Sequence, residues 1–173
     1  MRVVVIGYGT AGQTASAIAK KRNPELEVVV LEKRSYPAYH PCLLPYALSG
    51  KVPLEDIVER RKPPNVELIT NATAKKIDPY RKLVEFERGG SVEHLEYDFL
   101  VISTGLRPTV PPVEGLDLEG VSLFWTVEDV ERLQRRNLER VAIIGGSATG
   151  IEVAAELAAL GKDVTLVEMM EQL

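Results

Sequence analysis

Two stretches of the chain share one order of apolar and polar positions. Residues 2–33 and residues 140–169 each begin with a short run rich in Val and Ile and continue through glycines into an alanine-rich segment with helical spacing. Each stretch then has a second β-branched run that ends in Glu. Short runs of this kind predict buried strands, and apolar residues three or four positions apart predict a helix. The pattern therefore predicts a strand–helix–strand unit that occurs twice.

The first repeat carries a complete G-x-G-x-x-G between its predicted strand and helix. In such a turn the first glycine permits the sharp bend, the second lets the backbone approach a pyrophosphate, and the third lets the helix pack against the strand. Glu32 follows about 20 residues later, where a carboxylate can accept hydrogen bonds from a ribose. The alternative is a glycine turn without a ligand, and the position between strand and helix argues against it. The predicted dinucleotide contacts are Gly7, Gly9, Thr10, Ala11, Gly12, Glu32 and Lys33.

The second repeat has a less regular fingerprint, formed by Gly145, Gly146 and Gly150. Ser147 occupies the place of the middle glycine, and its small side chain still permits close approach of a phosphate. Glu168 occupies the acidic position, where a carboxylate accepts bonds from a free ribose 2′-hydroxyl and repels a 2′-phosphate. These five residues predict a second dinucleotide site, at which the carboxylate favours a nucleotide without a 2′-phosphate. A glycine turn without a ligand again remains the alternative.

The segments between and beside the repeats predict smaller elements. Residues 43–50 predict a short helix ended by a glycine, which places Cys42 at a helix N-terminus, where the dipole stabilises a thiolate. An amphipathic helix is predicted to open at Thr126, with acidic residues in its first turn. The region after residue 65 predicts short strands with a hairpin turn at a double glycine. The predicted strands are 66–69, 72–78, 82–87 and 92–98.

The order of these segments resembles the N-terminal part of the FAD-dependent pyridine nucleotide–disulfide oxidoreductases. In that family the first fingerprint binds FAD and the second binds NAD(P)H. Residues 97–115 resemble the family's strand that runs into an Ala-Thr-Gly-x-x-Pro turn beside the flavin, here Ser103, Thr104 and Gly105 followed by Pro108. The resemblance implies that FAD and NAD(H) are the cofactors, and that Thr104 and Gly105 lie near the flavin.

The resemblance also implies the fold class and the domain organisation. We expect an α/β fold, with a Rossmann-like FAD-binding domain at 1–112 that combines a parallel sheet with a small antiparallel β-meander. Residues 113–173 would form the first βαβ unit of a second, NAD(H)-binding domain. The sequence stops five residues after Glu168, so we expect a fragment of a longer protein or a half that works with a second chain. The complete enzyme is expected to be a homodimer or to pair with a second chain.

The only cysteine of the chain, Cys42, lies in the stretch YHPCLLPY. One branch of the family has a single redox cysteine in a pattern like Ser-Phe-x-Asn-Cys-x-Leu-Pro-Tyr, and this branch resembles coenzyme A-disulfide reductases, NADH oxidases and persulfide reductases. The chain matches at Cys42 and at the Leu-Pro-Tyr that follows, whereas Ala38 and Pro41 replace the serine and the asparagine. Those two family positions line the thiol-substrate site, so the match leaves coenzyme A open as a substrate.

The resemblance implies that Cys42 is catalytic, and it implies a route for the electrons. They would pass from NADH through FAD to Cys42 and on to a disulfide, a polysulfide or persulfide, or oxygen. Three alternatives stay open: an inert buried cysteine, a reductase of a protein electron carrier such as rubredoxin or ferredoxin, and a non-enzymatic nucleotide-binding module.

Composition limits the remaining possibilities. The 173 residues carry a net charge of −4 with 27% charged residues, which argues against a basic nucleic-acid surface. A single cysteine excludes an intrachain disulfide, and no apolar run approaches the roughly 20 residues of a membrane helix. The N-terminus leads directly into the glycine turn and does not resemble a signal peptide. We predict a cytoplasmic protein with small-molecule thiol, disulfide, sulfur or oxygen partners, and with no nucleic acid, membrane or metal site.

Overall fold

The computed structural model describes residues 1–61 and 63–171, and the contacts among them divide the chain into two units. The first unit comprises Met1–Tyr39 and Val58–Arg107. The second unit comprises His40–Ile57 together with the chain from Pro108 onward. The division into domains at 1–112 and 113–173 stays a prediction.

The first unit contains one helix and nine strands among its described residues. The helix and the longer strands coincide with the segments predicted from the sequence. In chain order the elements are β1 (Arg2–Ile6), α1 (Thr10–Arg22), β2 (Glu27–Leu31), β3 (Ala38–Tyr39), β4 (Val58–Glu59), β5 (Glu67–Ile69), β6 (Ala72–Asp78), β7 (Leu83–Arg88), β8 (Ser91–Glu96) and β9 (Phe99–Ile102).

Four parallel strands form the main sheet of the first unit, in the order β5-β2-β1-β9. The two central strands are apolar after their first residues, Arg2 and Glu27, and Val4, Val5 and Val30 are fully buried. A parallel sheet that is covered on both faces favours such continuous Val and Ile runs over an alternating pattern. The strand predicted at 66–69 joins this sheet, as β5, because its backbone pairs with Val29–Leu31 of β2; only the later strands form the meander.

The meander consists of β6, β7 and β8, paired antiparallel in that order. Gly89 and Gly90 both have positive φ at the hairpin between β7 and β8, as the double glycine predicted. Val84 and Phe86 of β7 pack in one buried cluster with Val4 of the parallel sheet. The parallel sheet, its helix and the antiparallel meander confirm the predicted α/β class.

The second unit contains the second repeat and the segment that follows Cys42. The predicted helix after Thr126 begins at that residue, which forms a capping box with Asp129. No helix within residues 1–61 and 63–171 is both long and apolar enough to span a lipid bilayer. The elements are a 3-10 turn at Pro41–Leu43, α2 (Leu44–Leu48), a 3-10 turn at Leu54–Ile57, α3 (Val127–Gln134), β10 (Arg140–Ile144), α4 (Ala148–Ala159) and β11 (Asp163–Val167), with β10 and β11 paired in parallel.

Candidate functional site

The first glycine turn joins β1 to α1, and two of its glycines are required by the protein's own packing. Gly7 has φ of 93° and donates its N–H to the Leu31 carbonyl at 2.8 Å. A Cβ at Gly7 would lie 2.4 Å from the Ser103 carbonyl oxygen, and one at Gly12 would lie 2.0 Å from the Gly7 carbonyl oxygen. Any side chain at either position therefore collides with backbone, as the roles of the first and third fingerprint glycines require.

Gly9, the middle glycine, has open space around it. It is the N-cap of α1 with φ of −67°, and a Cβ there would meet no atom within 4 Å. No side chain caps α1, and its first turn holds no acidic residue. The exposed N-terminal turn at Thr10 and Ala11 therefore has backbone N–H groups available for an anion. These features fit the pyrophosphate of a dinucleotide.

Glu32 follows β2 and is buried, with 1% of its surface exposed. Its carboxylate accepts hydrogen bonds from two parts of the chain. Its Oε2 accepts the Tyr8 N–H at 2.8 Å, and its Oε1 accepts the Arg34 N–H at 3.0 Å and the Arg34 Nη1 at 3.1 Å. A carboxylate offers about four acceptor positions, so the three protein donors leave one position of the Glu32 carboxylate for a ribose hydroxyl. The neighbouring Lys33 is exposed.

Sequence reasoning missed Arg34, which orders this end of β2. Its guanidinium pairs with Glu32 and also lies over the Tyr39 ring, 5.0 Å from the centroid. The sequence signal was available, since a cation two residues after the ribose carboxylate can fold back onto it. Arg34 therefore belongs to the candidate site.

The turn after β9 lies against the first glycine turn. Ser103 donates its hydroxyl to the Gly7 carbonyl at 2.8 Å and its N–H to the Ile6 carbonyl at 2.8 Å. Thr104 and Gly105 follow it; both are exposed, and Gly105 has φ of 74°. The structure thus brings the predicted Thr104–Gly105 turn next to the first fingerprint.

The second glycine turn, between β10 and α4, repeats the first. Gly145 has φ of 109° and donates its N–H to the Val167 carbonyl at 2.8 Å. A Cβ at Gly150 would lie 2.0 Å from the Gly145 carbonyl oxygen. The two turns differ at the helix start. The Ser147 hydroxyl accepts the Gly150 N–H at 3.5 Å and so partly caps α4, whereas no side chain caps α1.

Glu168 reproduces the geometry of Glu32 in the second repeat. Its carboxylate accepts the Met170 N–H at 2.8 Å and the Gly146 N–H at 2.5 Å. These backbone bonds, the first from Met170 and the next from Gly146, hold the pKa of Glu168 below its usual value. No cation follows within the described chain, since Met169 and Met170 stand where the first repeat has Lys33 and Arg34.

Cys42 lies in the 3-10 turn that leads into α2, and its side chain is exposed. The turn is closed by the Leu43 N–H, which bonds to the His40 carbonyl at 3.0 Å. His40 is fixed in turn, because its N–H donates to the Ile57 carbonyl at 2.9 Å. The thiol is therefore accessible on an ordered backbone, whereas the inert-cysteine alternative requires a buried one.

A cavity of about 840 Å³ lies in the first unit between α1 and residues 59–61 and 63–66. Burial and, to a lesser extent, the charge of Glu59 raise the pKa of the Tyr8 phenol, which faces this cavity. Sequence reasoning gave no indication of the cavity, because its walls come from segments that lie far apart in the chain. Its polar lining includes Tyr8, Gln13, Lys20, Lys21, Glu59 and Arg61.

Several proteins named as oxidases or reductases are similar to this chain along nearly its whole length. A NADH oxidase of Methanocaldococcus jannaschii is 33% identical over 183 residues, which cover 99% of this chain and 41% of that protein. An NAD(P)H coenzyme A polysulfide/persulfide reductase of Pyrococcus horikoshii is 33% identical, over 96% of this chain and 39% of that protein. The solved structure of a NAD-dependent persulfide reductase from A. fulgidus has a TM-score of 0.90 and 34% identity, over 99% of this chain and 34% of that one.

The chain thus spans between 39% and 41% of the length of these two curated relatives. A family model described as pyridine nucleotide-disulphide oxidoreductase matches residues 1–173. Because that match covers every residue, the chain belongs to the pyridine nucleotide-disulphide oxidoreductase family, and this membership confirms FAD and NAD(H), the cofactors that the resemblance implied.

Proposed function

We propose that this chain is the cofactor-binding part of a flavoprotein that passes electrons from NADH through FAD to Cys42, and from Cys42 to a sulfur substrate. The observation that carries the proposal is the duplicated turn, in which two helix starts are each paired with a carboxylate held by backbone N–H groups. Together with family membership, this duplication favours an enzyme over a non-enzymatic nucleotide-binding module.

The residues of the chain would bind and orient the two cofactors. FAD, when bound, supplies hydride acceptance and two-electron transfer. The start of α1 would hold its pyrophosphate and Glu32 its ribose. The start of α4 would hold the pyrophosphate of NADH, with Glu168 on the adenine ribose. Thr104 and Gly105 would line the flavin side of the first site.

Cys42 would exchange the electrons with substrate through sulfur chemistry. A thiolate attacks one sulfur of a disulfide, forms a mixed disulfide and releases the other half as a thiol. Two electrons, which originate from NADH, then reduce the mixed disulfide and release the second thiol, with protons taken from solvent. With oxygen as acceptor, the thiolate would instead cycle through a sulfenic acid. One relative is named a polysulfide/persulfide reductase and another an NADH oxidase.

The cavity beside α1 supports a substrate with an anionic handle. Lys21 and Arg61 line its wall, and charge-assisted bonds to a phosphate are about twice as strong as neutral ones. The relative from Pyrococcus horikoshii is named for coenzyme A, which carries phosphate groups and a thiol. We therefore favour a persulfide or disulfide of a phosphate-bearing thiol over oxygen.

The decisive variant is Cys42→Ser in the complete FAD-loaded protein. Serine keeps nearly the same shape but cannot form a disulfide or a persulfide. NADH should still bleach the flavin absorbance of this variant, while turnover of disulfide or polysulfide falls to background. Leu43→Met serves as the control, because it changes the adjacent side chain and leaves the thiol. Wild-type turnover by Cys42→Ser on every such substrate would show that Cys42 transfers no electrons, and a protein electron carrier would then replace the sulfur substrate.

The substrate handle is tested by removing Lys21 and Arg61, two of the three cations among the described residues that line the cavity; the third, Lys20, bonds to the Pro24 and Leu26 carbonyls. Lys21→Ala and Arg61→Ala should each raise KM for a coenzyme A disulfide by about tenfold, since loss of a charge-assisted bond costs roughly 1.5 kcal/mol. KM for inorganic polysulfide should stay unchanged. Arg22→Ala is the matched control, because Arg22 is the next cation on α1 and lies outside the cavity lining. An equal KM increase for both substrates would contradict a handle site.

A further inference from the structure

Glu156 is a buried carboxylate that neither fingerprint uses. It lies on α4, is 8% exposed, and is one of few buried polar side chains among the described residues. The others have local roles: Glu32 belongs to the first fingerprint, Asp129 caps α3, and Ser16 bonds to its own helix. A buried carboxylate is costly unless it is paired, so the partners of Glu156 show what it holds.

Both partners of Glu156 come from the end of the Cys42 segment. The Ser49 hydroxyl donates to Oε2 at 2.6 Å, and the Lys51 ammonium donates to Oε1 at 2.8 Å. Lys51, followed by Ser49, holds the pKa of Glu156 below its usual value, so the carboxylate is charged at neutral pH. Ser49 is also the C-cap of α2. The carboxylate therefore fixes the far end of the short helix that follows Cys42.

The chain between Cys42 and this anchor is short and ordered. The 3-10 turn that contains Cys42 passes directly into α2, and the Leu44 N–H bonds back to the Pro41 carbonyl. α2 has five residues and packs against α3 and α4. A second polar contact holds it, since the Gln134 side chain on α3 donates to the Ala47 carbonyl at 2.7 Å. Cys42 thus sits at one end of a rigid segment whose other end is bonded to α4.

Directional bonds are needed to orient α2 on α4, because the apolar contacts between these two helices do not fix an orientation. Leu44 and Leu48 of α2, and Val153 and Leu157 of α4, are buried, but apolar burial is non-directional. A five-residue helix is also too short to be stable by itself. Hydrogen bonds to the Glu156 carboxylate select one orientation of α2 on α4.

We propose that Glu156 is a positioning residue, which sets the placement of Cys42 relative to the nucleotide-binding end of α4. Gly150, in the second fingerprint, precedes Glu156 on the same helix by roughly 9 Å, so one helix holds both the nicotinamide nucleotide and the cysteine segment. The proposal rests on the proposed function of Cys42. Glu156 acts through Ser49 and Lys51, to which it is bonded.

The test compares Glu156→Ala with a charge exchange, Lys51→Glu combined with Glu156→Lys, in the complete FAD-loaded protein. Glu156→Ala should keep its FAD, because the first fingerprint lies in the other unit, and NADH should bleach the flavin at the wild-type rate. The kcat for disulfide or polysulfide should fall about tenfold or more with KM for NADH unchanged, because a misplacement of about 1 Å can cost on the order of a hundredfold in rate. The charge exchange should recover most of that loss.

Labelling of Cys42 with iodoacetamide at fixed pH gives a readout that does not depend on turnover. Release of α2 should raise the labelling rate of Glu156→Ala by about threefold or more, because the exposed thiol is then no longer held in one orientation by the ordered turn, and the charge exchange should restore the wild-type rate. Glu131→Gln is the control, since Glu131 is exposed on α3. Ser49→Ala removes one bond only and should give a smaller rise, and it replaces Glu156→Ala if that variant does not fold.

The outcomes separate this proposal from the proposed function. Wild-type kcat and labelling in Glu156→Ala would overturn the positioning role. So would a charge exchange that stays as impaired as the single variant, because Glu156 would then act on folding alone. If instead Cys42→Ser turns over at the wild-type rate, the function of Cys42 fails, while the labelling rates still decide whether Glu156 positions its segment.

Discussion

The contacts around Gly9 and Gly12 give a physical basis for the different roles that the fingerprint assigns to these two glycines. A Cβ at Gly12 would lie 2.0 Å from the Gly7 carbonyl oxygen, whereas a Cβ at Gly9 meets no atom within 4 Å. The first clash exists in the protein without any ligand. The second arises only when a pyrophosphate occupies the turn. Gly12→Ala and Gly9→Val should therefore fail for different reasons.

The size of each effect follows from these contacts. Gly12→Ala forces the α1 and β1 backbones apart, and overpacking of this kind costs about 1–3 kcal/mol. At Gly9, alanine gains about 0.4–1 kcal/mol from a less flexible unfolded chain and loses a similar amount as a poorer N-cap than glycine. The flavin-free Gly9→Ala protein should thus unfold within about 0.5 kcal/mol of wild type. Gly9→Val adds bulk that blocks the phosphate.

Urea unfolding of the flavin-free proteins and their flavin content after purification measure the two effects independently. We expect Gly12→Ala to lower the unfolding free energy, Gly9→Ala to leave it unchanged, and Gly9→Val to yield a folded protein without FAD. The reasoning is refuted if Gly9→Val retains full flavin, or if Gly12→Ala is as stable as wild type. Ala15→Gly, on α1, is the control for both glycine variants. Gly89→Ala would be a poor control, because Gly89 has positive φ and alanine there strains the backbone.

Three further outcomes follow from the carboxylates. Backbone bonds lower the pKa of Glu168 in the folded state. The carboxylate therefore stabilises the fold fully above the ordinary carboxyl pKa, and this stabilisation is lost as pH falls through the lowered value. In thermal unfolding measured from pH 7 to pH 3, the melting temperature of Glu168→Gln should fall less steeply than that of the wild type. Glu168→Ala combined with Met169→Arg should move the coenzyme preference toward NADPH, because it removes a repelling carboxylate and adds a cation for the 2′-phosphate; steady-state kinetics with both nucleotides measure the change. Glu32→Gln should destabilise the flavin-free protein by about 1–3 kcal/mol because Arg34 loses its charged partner, and urea unfolding with Arg81→Gln as control measures that loss.

Local patterns predicted the repeated elements because each unit is specified by neighbouring residues. The β-branched runs, the glycine spacing and Thr126 predicted β1, β10 and the start of α3. Strand β5 was predicted as a strand, but its partner was not, since pairing with β2 depends on residues far away in the chain. The pairing of Glu156 with Ser49 and Lys51 spans more than a hundred positions. No local signal indicates such a contact, although an acidic residue on the buried face of a helix indicates that some partner is needed.

The differences between the two repeats explain how one motif can serve two nucleotides. Both repeats fix a carboxylate with backbone N–H groups, so under the proposed function each carboxylate would bind a ribose. In the first, no side chain caps α1, so a pyrophosphate would bind at an uncapped helix start. In the second, the Ser147 hydroxyl already accepts one N–H of α4, so a pyrophosphate replaces an existing bond and gains less. The first turn thus suits a cofactor that stays bound through many turnovers, and the second suits a nucleotide that must leave after each one.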